Sequence, residues 1–373
     1  MMVPDSAMIA EIMLFSEGFP NTKVFSKKVD TLYRLANQQL TRQHHYDFGL
    51  RALTSALKVA GVKKRGDFES ADDNVLFTAM RDCNVPKLSS EDVPIFLAIL
   101  RDLFPAAEIS QVDNSELKAA ISEEMALLNM QHIPAMVSKV IQLYETKASR
   151  HGVMIVGDTG SGKSTVWKLL QSTMLKMSKV SPDRFVAAKV SPLNPKSYSP
   201  EEMYGAFSTS INDWSDGILS NLLRTACSDE KKDQKWILLD GPVDTLWIES
   251  MNTVLDDNKV LTLINGERIA LTENVSLLFE VDNLSMASPS TVSRVGIIYM
   301  DYTDLGWRPF VESWIQCRND QHAADHLRRL SEKILAPIFE FRKSCLDSVP
   351  VSESSAVRSF CTLYDSVATA GMD

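Results

Sequence analysis

Eight consecutive residues of the chain have the pattern of a phosphate-binding P-loop: residues 157–164 read Gly-Asp-Thr-Gly-Ser-Gly-Lys-Ser. Glycines at these positions let the backbone turn tightly, so that N–H groups at the start of the following helix point at phosphate groups. The spacing predicts that Lys163 reaches the β- and γ-phosphates of a nucleotide and that the hydroxyl of Ser164 ligates Mg²⁺. The apolar run 153–156 and the helical sequence 165–170 flank the loop as this motif requires. Nucleotide binding is therefore the first chemistry that we expect of this chain.

A P-loop needs a second acidic group to hold its Mg²⁺, usually at the end of a neighbouring strand. Asp240 directly follows the apolar run 236–239 and meets this requirement. An Asp at the end of a strand can also be an ordinary cap. Because four apolar residues ending in Asp lie downstream of a P-loop, the metal role is favoured. Ser164 and Asp240 are thus the predicted Mg²⁺ ligands.

The residue after Asp240 bears on whether a bound nucleotide is hydrolysed. In hydrolytic members of the AAA+ class, a Glu at that position takes a proton from the attacking water. Here the position holds Gly241, which has no side chain to act as a base, and the next residue is proline. We therefore expect nucleotide binding without efficient turnover, and no catalytic residue in this module. The alternative is that Asp244, Glu249 or Glu280 folds back to serve as the base.

Two further polar residues lie beside the next predicted strands. Asn283 follows the run 276–282, where its side chain either contacts the γ-phosphate or the lytic water, or simply favours a turn. Arg294 precedes the run 295–298. An Arg at such a strand start can reach from the edge of a module into a neighbouring site and stabilise transition-state charge. Taken alone, however, an Arg in this place is more often a surface residue.

The elements that must position these residues have the pattern of an α/β domain. Near-continuous apolar runs alternate with helical stretches, and runs without polar alternation predict strands that are buried on both faces of a parallel sheet. Asn265-Gly266, between the alternating runs 260–264 and 267–272, predicts a hairpin with a type I′ turn. The predicted strands of the sheet are 153–156, 185–190, 236–239, 276–281 and 295–300.

Residues 5–104 have a different pattern, with apolar residues at the three- and four-residue spacing of helices. Gly61 is placed to end the third of these helices. The charged stretch 63–70 predicts an exposed loop. A helical pattern returns from about residue 305. The predicted helices are 6–17, 23–40, 48–60, 72–82, 91–104, 115–129, 135–149, 308–318 and 326–342.

Composition argues against several broad classes of protein. The chain has 373 residues, of which 45% are hydrophobic and 23% charged, as in ordinary globular proteins. Its formal net charge of −9 argues against a general nucleic-acid binder, because phosphate neutralisation needs clustered Lys and Arg. No apolar run approaches the ~18 residues of a membrane span. The five cysteines are scattered without C-x-x-C spacing, which favours a reducing compartment. We therefore expect neither a nucleic-acid partner nor a membrane partner.

In combination, several motifs resemble a dynein heavy chain across nearly the whole sequence. They are EIMLFSEGF at 11–19, HYDFGLRA at 45–52, DGPVD at 240–244, VLDDNK at 254–259 and TVSR at 291–294. The resemblance implies the AAA+ P-loop NTPase fold, an α/β domain whose parallel sheet is flanked by helices, with all-α lid subdomains before and after it. It implies three parts: residues 1–114 as the helical lid of a preceding AAA+ module, 115–302 as the large α/β domain of the second module, and 303–373 as the start of its lid. We therefore expect an excised piece of a motor ring.

The same resemblance assigns roles position by position. It implies that the second module holds ATP (or ADP) with Mg²⁺ without hydrolysing it, since Gly241 is similar to what dyneins have there. Arg294 matches a finger that reaches the hydrolytic site of the first module, and Arg51, in the motif GLR, matches a lid arginine that completes that site. Family members vary at the position of Asn283. The nucleotide-binding residues so implied are Gly157, Asp158, Thr159, Gly160, Ser161, Gly162, Lys163, Ser164, Thr165, Asp240 and Asn283.

For the whole protein, the resemblance implies a microtubule-based, minus-end-directed motor. Its partners would be the adjacent AAA+ modules of the same chain and, only through the intact motor, microtubules and the dynein light and intermediate chains. The stretch NPKSYSPEEMYG at 194–205 resembles axonemal heavy chains more than cytoplasmic ones, so the expected location is the cytoskeleton, in the axoneme of a cilium or flagellum. Two alternatives stay open: an autonomous hydrolytic AAA+ ATPase, and a P-loop kinase for a small molecule.

Overall fold

A five-stranded parallel sheet lies in the middle of the chain, with helical regions before and after it in sequence. The computed structural model describes residues 4–66, 70–107, 114–207, 213–318, 321–342, 344–345, 348–349 and 351–367. The strands are β1 (Gly152–Val156), β2 (Ala188–Leu193), β3 (Gly205–Phe207), β4 (Trp214–Asp216), β5 (Gln234–Asp240), β6 (Val260–Thr262), β7 (Arg268–Ala270), β8 (Val275–Val281) and β9 (Gly296–Tyr299). The helices are α1 (Ser6–Ser16), α2 (Thr22–Gln39), α3 (Leu50–Gly66), α4 (Asp72–Asn84), α5 (Asp92–Leu103), α6 (Ser115–Leu127), α7 (Pro134–Ser149), α8 (Lys163–Val180), α9 (Pro200–Tyr204), α10 (Ile218–Ser228), α11 (Thr245–Ile248), α12 (Asn252–Leu255), α13 (Pro289–Val292), α14 (Arg308–Gln316), α15 (Gln321–Arg342) and α16 (Glu353–Val367).

The main sheet has the strand order β2-β5-β8-β1-β9, and all its strands are parallel. In β1, Val153 and Ile155 pack with α6, α7 and α8 on one face, while Met154 and Val156 pack into a second apolar cluster on the other face. Because side chains alternate between the faces, a strand that is covered on both sides reads as a continuous apolar run. The predicted α/β class, with a parallel sheet flanked by helices, is confirmed.

One predicted strand was misplaced. The sequence indicated a strand at 185–190, but β2 begins three residues later, at Ala188. Phe185 is buried in the apolar cluster although it precedes the strand, in a turn where its N–H donates to the carbonyl of Ser181 at 3.1 Å. The prediction therefore began the strand too early, because a buried apolar residue in a turn resembles a strand residue in the sequence.

The helix that was predicted to end at Gly61 continues past it as α3. Gly61 serves close packing instead, because a Cβ there would lie 1.9 Å from Oε2 of Glu17, at the end of α1. The basic residues that follow belong to the helix and not to an exposed loop. Among them, Lys64 forms an ion pair with Asp72 at 2.6 Å. Residues 67–69 of that predicted loop lie outside the described residues. Tertiary contact between two helices thus overrode a helix-stop signal.

The hairpin predicted around Asn265-Gly266 is present as β6 and β7, but its turn is not of type I′. That type requires a positive φ at both central residues. Gly266 has φ +85°, whereas Asn265 is absent from the described residues with positive φ. The N–H of Leu263 donates to the carbonyl of Glu267 at 2.9 Å, and the N–H of Gly266 donates to the carbonyl of Leu263 at 3.0 Å. The loop therefore has three residues, with Gly266 in the left-handed position.

The first helical region contacts the sheet domain through a buried ring stack and an exposed ion pair. The imidazole of His45 lies parallel to the ring of Tyr299 in β9, with 4.4 Å between the ring centroids and 10° between the planes. Lys58 of α3 pairs with Asp257 at 3.1 Å, and both side chains are largely exposed. Since an exposed ion pair contributes little, the stack is expected to stabilise this junction more.

Burial lowers the pKa of His45 to about 4, from an ordinary value of 6.5. The folded protein favours the neutral ring, so the unfolded chain binds the extra proton between these two values. The contribution of the neutral ring to the free energy of unfolding is fully present above pH 6.5. It is lost as the pH falls from 6.5 towards 4, by about 3 kcal/mol. Denaturant unfolding at several pH values measures this loss. We expect the gap in unfolding free energy between the protein and the variant His45→Gln to narrow as the pH falls.

The matched control for this pH dependence is His44→Gln, which changes the exposed neighbouring ring. The gap between the protein and this control variant should change far less between pH 7 and pH 4 than the gap for His45→Gln. A gap for His45→Gln that changes no more than that of the control would contradict the assignment of the titration to His45.

Candidate nucleotide-binding site

The P-loop connects the end of β1 to the start of α8. Gly160 and Gly162 both have φ +89°, a conformation that residues with side chains rarely adopt. A Cβ on Gly162 would also lie 2.9 Å from Cε of Met136. Within the described residues, no side chain caps the first turn of α8, and that turn contains no acidic residue. Its N–H groups and the positive end of its dipole are therefore available to phosphates.

The P-loop residues divide into those that line a cavity and those that shape the loop. In the second group, the N–H of Ser161 donates to the carbonyl of Asp158 at 3.1 Å, and the N–H of Gly157 donates to the carbonyl of Val281 at 3.2 Å. These bonds close the turn and tie it to the end of β8. The P-loop residues that line the cavity are Thr159, Gly160, Gly162, Lys163, Ser164 and Thr165.

The side chain of Lys163 is held by the loop itself. Its Nζ donates to the carbonyl of Gly157, to the carbonyl of Asp158 at 3.2 Å and to Oδ1 of Asp282 at 2.6 Å. Only 8% of the Lys163 side chain is exposed, whereas 56% of the Asp282 side chain is. The ammonium group thus lies at the mouth of the loop, and its counter-ion is a carboxylate with which a phosphate group would compete.

Two carboxylates from neighbouring strands lie beside the P-loop. Asp240, the last residue of β5, is opposite Glu280 of β8 in the register of the sheet. Glu280 is buried and accepts hydrogen bonds from the hydroxyl of Ser164 and, at 3.0 Å, from Nε1 of Trp167. The pKa of Asp240 is raised, first by burial and then by the negative charge of Glu280. Ser164, Asp240 and Glu280 therefore bring together oxygen atoms of the kind that Mg²⁺ prefers.

Metal binding at this corner of the loop would require a nucleotide as well. Across the part of the chain that the structure describes, no group of three His, Cys, Asp or Glu side chains could hold a metal ion. Proteins usually bind Mg²⁺ through one or two carboxylates together with substrate phosphates and water. A hydroxyl and two carboxylates beside a phosphate-binding loop fit that mode, so the residues present fit a Mg-nucleotide.

A cavity of about 700 Å³ extends from the P-loop to the C-terminal helices. Its volume lies within the range of small-molecule sites. The P-loop and the strand ends contribute polar and charged lining residues, whereas the apolar lining residues come from segments on both sides of the sheet in sequence. Two of them, Met136 and Leu305, lie against Gly162 of the P-loop. The apolar residues are Met125, Met130, Ile133, Met136, Leu305, Pro309, Phe310 and Val357. An apolar slot beside a phosphate-binding loop suits a purine base, so the cavity fits a whole nucleotide.

Gly241 lines the cavity directly after Asp240, at the position where a catalytic Glu is expected. A Cβ on Gly241 would lie 3.0 Å from Oδ1 of Asn194 and 3.3 Å from Cδ of Pro195. Both distances are tighter than ordinary Cβ contacts, so a larger residue would require the Asn194 side chain or the Pro195 ring to move by a few tenths of an ångström. The strand end is therefore closely packed around a residue that has no side chain to act as a base.

Of the three residues considered as substitute bases, Glu280 lines the cavity and the other two lie elsewhere among the described residues. Asp244 pairs with Lys196 at 2.8 Å and caps α11. Glu249 is exposed in a short 3-10 turn. Neither Asp244 nor Glu249 is placed to activate water in the cavity.

Asn283 has the turn role that the sequence left open. Its Oδ1 accepts hydrogen bonds from the N–H of Ser285 at 3.2 Å and from the hydroxyl of Ser285 at 2.6 Å. Among the described residues that line the cavity, Asn283 is absent and Asp282 is present. In this segment the cavity is therefore lined by the carboxylate of Asp282, one residue earlier.

The two arginines assigned to a neighbouring site also lie outside the cavity lining. Arg294 donates through Nε to Asp256 at 2.6 Å and is folded against its own domain. Arg51 is exposed, about two helical turns before Lys58 on the same face of α3. On that face of α3, Lys58 pairs with Asp257, which follows the Asp256 that pairs with Arg294.

The residues predicted from the sequence did not include Asp282 or Arg358, and Glu280 was predicted only as an alternative base. Strand alternation offered a signal for the two acids, since residues two apart near the end of β8 lie on one face. Arg358 lines the cavity from α16. No local pattern links that helix to the P-loop.

The sheet order, with a P-loop after β1 and an acid at the end of β5, defines an AAA domain of the P-loop NTPases. Residues 152–295 match the family model described as "AAA domain (dynein-related subfamily)", and residues 1–164 match the one described as "Hydrolytic ATP binding site of dynein motor region". The chain belongs to the dynein heavy chain family, as its motifs indicated. Nucleotide binding is part of that assignment.

Similar curated proteins are axonemal and flagellar heavy chains. The chain is 54% identical over 370 residues to "Dynein axonemal heavy chain 2" of Mus musculus. It is 48% identical over 377 residues to "Dynein-1-beta heavy chain, flagellar inner arm I1 complex" of Chlamydomonas reinhardtii, and 42% identical over 373 residues to "Dynein axonemal heavy chain 6" of Homo sapiens. These alignments cover 98–99% of the chain but only 8–9% of each relative. The axonemal type is therefore favoured, and the chain corresponds to a small part of such a protein.

Among the helices that the structure describes, none is both long and apolar enough to cross a membrane.

Proposed function

We propose that this chain is an ATP-holding segment of a dynein motor ring. Its complete AAA+ module binds Mg-ATP with little or no hydrolysis, and the bound nucleotide braces or regulates the neighbouring hydrolytic module. The observation that carries this proposal is a formed nucleotide cavity in which Gly241, the residue after Asp240, offers no side chain. Binding and hydrolysis are separable, because holding phosphates needs the loop, Lys163 and a cation, whereas activating water needs a base.

One observation favours the alternative, an autonomous ATPase: the carboxylate of Glu280 lines the cavity. Its Oε1 accepts from Ser164 and its Oε2 from Trp167, so both oxygens face α8. That is the side of the P-loop where the cation would bind. A carboxylate engaged in this way is poorly placed to take a proton from water beyond the γ-phosphate. No observation favours a small-molecule kinase.

We propose three units, residues 1–114, 115–302 and 303–373, as the lid of the preceding module, the large domain and the start of its own lid. Separate apolar cores support this division: one in the first unit, one on each face of the sheet, and one in the last. Residues of the large domain and of the last unit line the same cavity. A ligand there would hold the two units together, by roughly 2.7 kcal/mol at a hundred times its dissociation constant.

For Arg294 and Arg51 we propose a role in the hydrolytic site of the preceding module, as an arginine finger and a lid arginine. The ion pair between Lys58 of α3 and Asp257 supports this role, because it joins the helix that carries Arg51 to the segment that pairs with Arg294. An arginine that reaches across a module boundary stabilises the charge that develops on the transferred phosphate.

For the complete protein we propose a microtubule-based, minus-end-directed motor in the axoneme of a cilium or flagellum. Adjacent AAA+ modules would contact this segment directly, and microtubules and light and intermediate chains would associate only through the intact motor. The axonemal and flagellar names of its relatives support this proposal.

The proposal is tested by identifying the nucleotide that the protein retains after long incubation with Mg²⁺ and ATP. We expect intact ATP in the denatured supernatant, because no base activates water. A single-turnover measurement with labelled ATP gives the rate. Fast formation of ADP by the isolated protein would favour the autonomous ATPase and overturn the holding role.

A further inference from the structure

The end of β8 presents two carboxylates to the P-loop. Glu280 lies in β8 and Asp282 directly follows the strand, and hydrogen bonds from Ser164 and Lys163 place both carboxylates beside the start of α8. Phe279 and Val281 point the other way, into the apolar cluster on the opposite face of the sheet. In the sequence Phe-Glu-Val-Asp, the two apolar residues thus pack into the core, and the two acidic residues lie on the side of the P-loop.

The two carboxylates contact different functional groups of the loop. Glu280 accepts from the hydroxyl of Ser164, the group that would serve a cation. Asp282 accepts from the ammonium of Lys163, the group that would serve a phosphate, at 2.6 Å. Glu280 is 8% exposed and is fixed from its other side by the indole of Trp167, whereas the side chain of Asp282 is 56% exposed. Glu280 is therefore the more rigid and more strongly desolvated of the pair.

The charges around the loop disfavour a nucleotide that arrives without a cation. Lys163, whose ammonium pairs with Asp282, and Arg358 bring positive charge to the cavity. On the cation side of the loop, beside Ser164, lie two carboxylates, those of Asp240 and Glu280. A triphosphate would add several negative charges within a few ångströms of them, which is costly in a partly buried site. A divalent cation between the phosphates and the carboxylates removes that repulsion.

We propose that Glu280 is a positioning residue that makes nucleotide binding at this site conditional on Mg²⁺. It acts through Ser164, whose hydroxyl it orients, and with Asp240, opposite it in the sheet, it leaves a negative corner that a divalent cation fills. The inference rests on the proposed nucleotide-holding function and specifies how that site selects the Mg-bound form. Asp282 has a different role, since it competes with phosphate for Lys163.

The test measures the dissociation constant of ATP by calorimetry, in Mg²⁺ and in EDTA, for the protein and for the variants Glu280→Gln and Asp282→Asn. Glutamine keeps the shape of Glu280 but removes the charge; its Oε1 can accept from Nε1 of Trp167 while its Nε2 donates to the hydroxyl oxygen of Ser164. We expect Glu280→Gln to bind free ATP more tightly and Mg-ATP no more tightly, so that the ratio of the two constants falls by about tenfold.

Asp282→Asn is the matched control, because it removes the same charge two residues away, from a carboxylate that contacts Lys163. It should raise the affinity in both buffers to a similar degree and leave the ratio close to that of the protein. An unchanged ratio in Glu280→Gln, with a lowered melting temperature, would overturn the proposal and assign Glu280 a purely structural contact with Trp167. An equally large fall in the ratio of the two dissociation constants for Asp282→Asn would also overturn the proposal.

Failure of the proposed function would look different from failure of this inference. A folded protein that binds ATP in neither buffer would contradict nucleotide holding itself. A protein that binds ATP equally well in Mg²⁺ and EDTA would contradict only the role of Glu280.

Discussion

Replacing Lys163 by Ala is expected to abolish nucleotide binding, with a loss of affinity of roughly a hundredfold or more. The buried ammonium is the cation that the loop offers to the phosphates, and charge-assisted hydrogen bonds from it are among the strongest that such a site can make. The change also leaves Asp282 without its counter-ion beside the loop, which adds repulsion against a triphosphate. Calorimetric titration with Mg-ATP measures the loss.

Thermal unfolding provides a second measurement of the same prediction. Saturating Mg-ATP should raise the melting temperature of the protein, because a ligand that binds the folded state stabilises it, and it should leave that of Lys163→Ala unchanged. Lys179→Ala is the matched control: it removes a lysine from the exposed end of the same helix, about 24 Å from Lys163. Equal binding by Lys163→Ala and the control would show that the nucleotide is held elsewhere.

Replacing Arg294 by Ala in the longer heavy chain is expected to lower the ATPase rate of the preceding module by about 10³-fold. The reason is the loss of a positive charge that stabilises the transition state across the module boundary. ATP retained at the Lys163 site should be unaffected, because Arg294 lies outside the lining of that cavity. Steady-state hydrolysis and retained nucleotide, measured on the same preparation, separate the two sites.

The ion pair between Arg294 and Asp256 supplies a control for the second experiment. In the structure, 15% of the Arg294 side chain is exposed, and its Nε donates to Asp256 at 2.6 Å. Reaching a neighbouring site requires this pair to open. Asp256→Asn should therefore keep the ATPase rate of the preceding module or raise it. If Arg294→Ala and Asp256→Asn lower the rate equally, the arginine acts only by holding the 254–259 segment in place.

Much of the fold followed from patterns that extend over a few residues. The strand before the P-loop, the acid at the end of β5 and the hairpin of β6 and β7 were all predicted from runs of fewer than ten residues. Such patterns are reliable because strand alternation and P-loop spacing act between near neighbours. The errors at Gly61 and Phe185 arose where a distant contact decided the outcome: the approach of Glu17 in one case and burial from a turn in the other.

The candidate site was predictable only in part, and for a similar reason. The P-loop and Asp240 are local motifs, so the sequence identified them directly. The contact between Glu280 and Ser164 joins β8 to α8, and the two residues are 116 positions apart in the chain. The apolar wall comes from helices on both sides of the sheet in sequence. Neither this contact nor the apolar wall produces a recognisable pattern within a short stretch of the sequence.

The sequence by itself determined the P-loop, the absence of a side chain after Asp240, the α/β class and membership of the dynein heavy chain family. These properties depend on residue types and short spacings, which are written consecutively along the chain. Only the tertiary structure decided that Glu280 and Asp282, rather than Asn283, face the loop, and that Arg294 is folded against Asp256. Strand order and register bring those groups together, and both are set by packing among segments that are far apart in sequence.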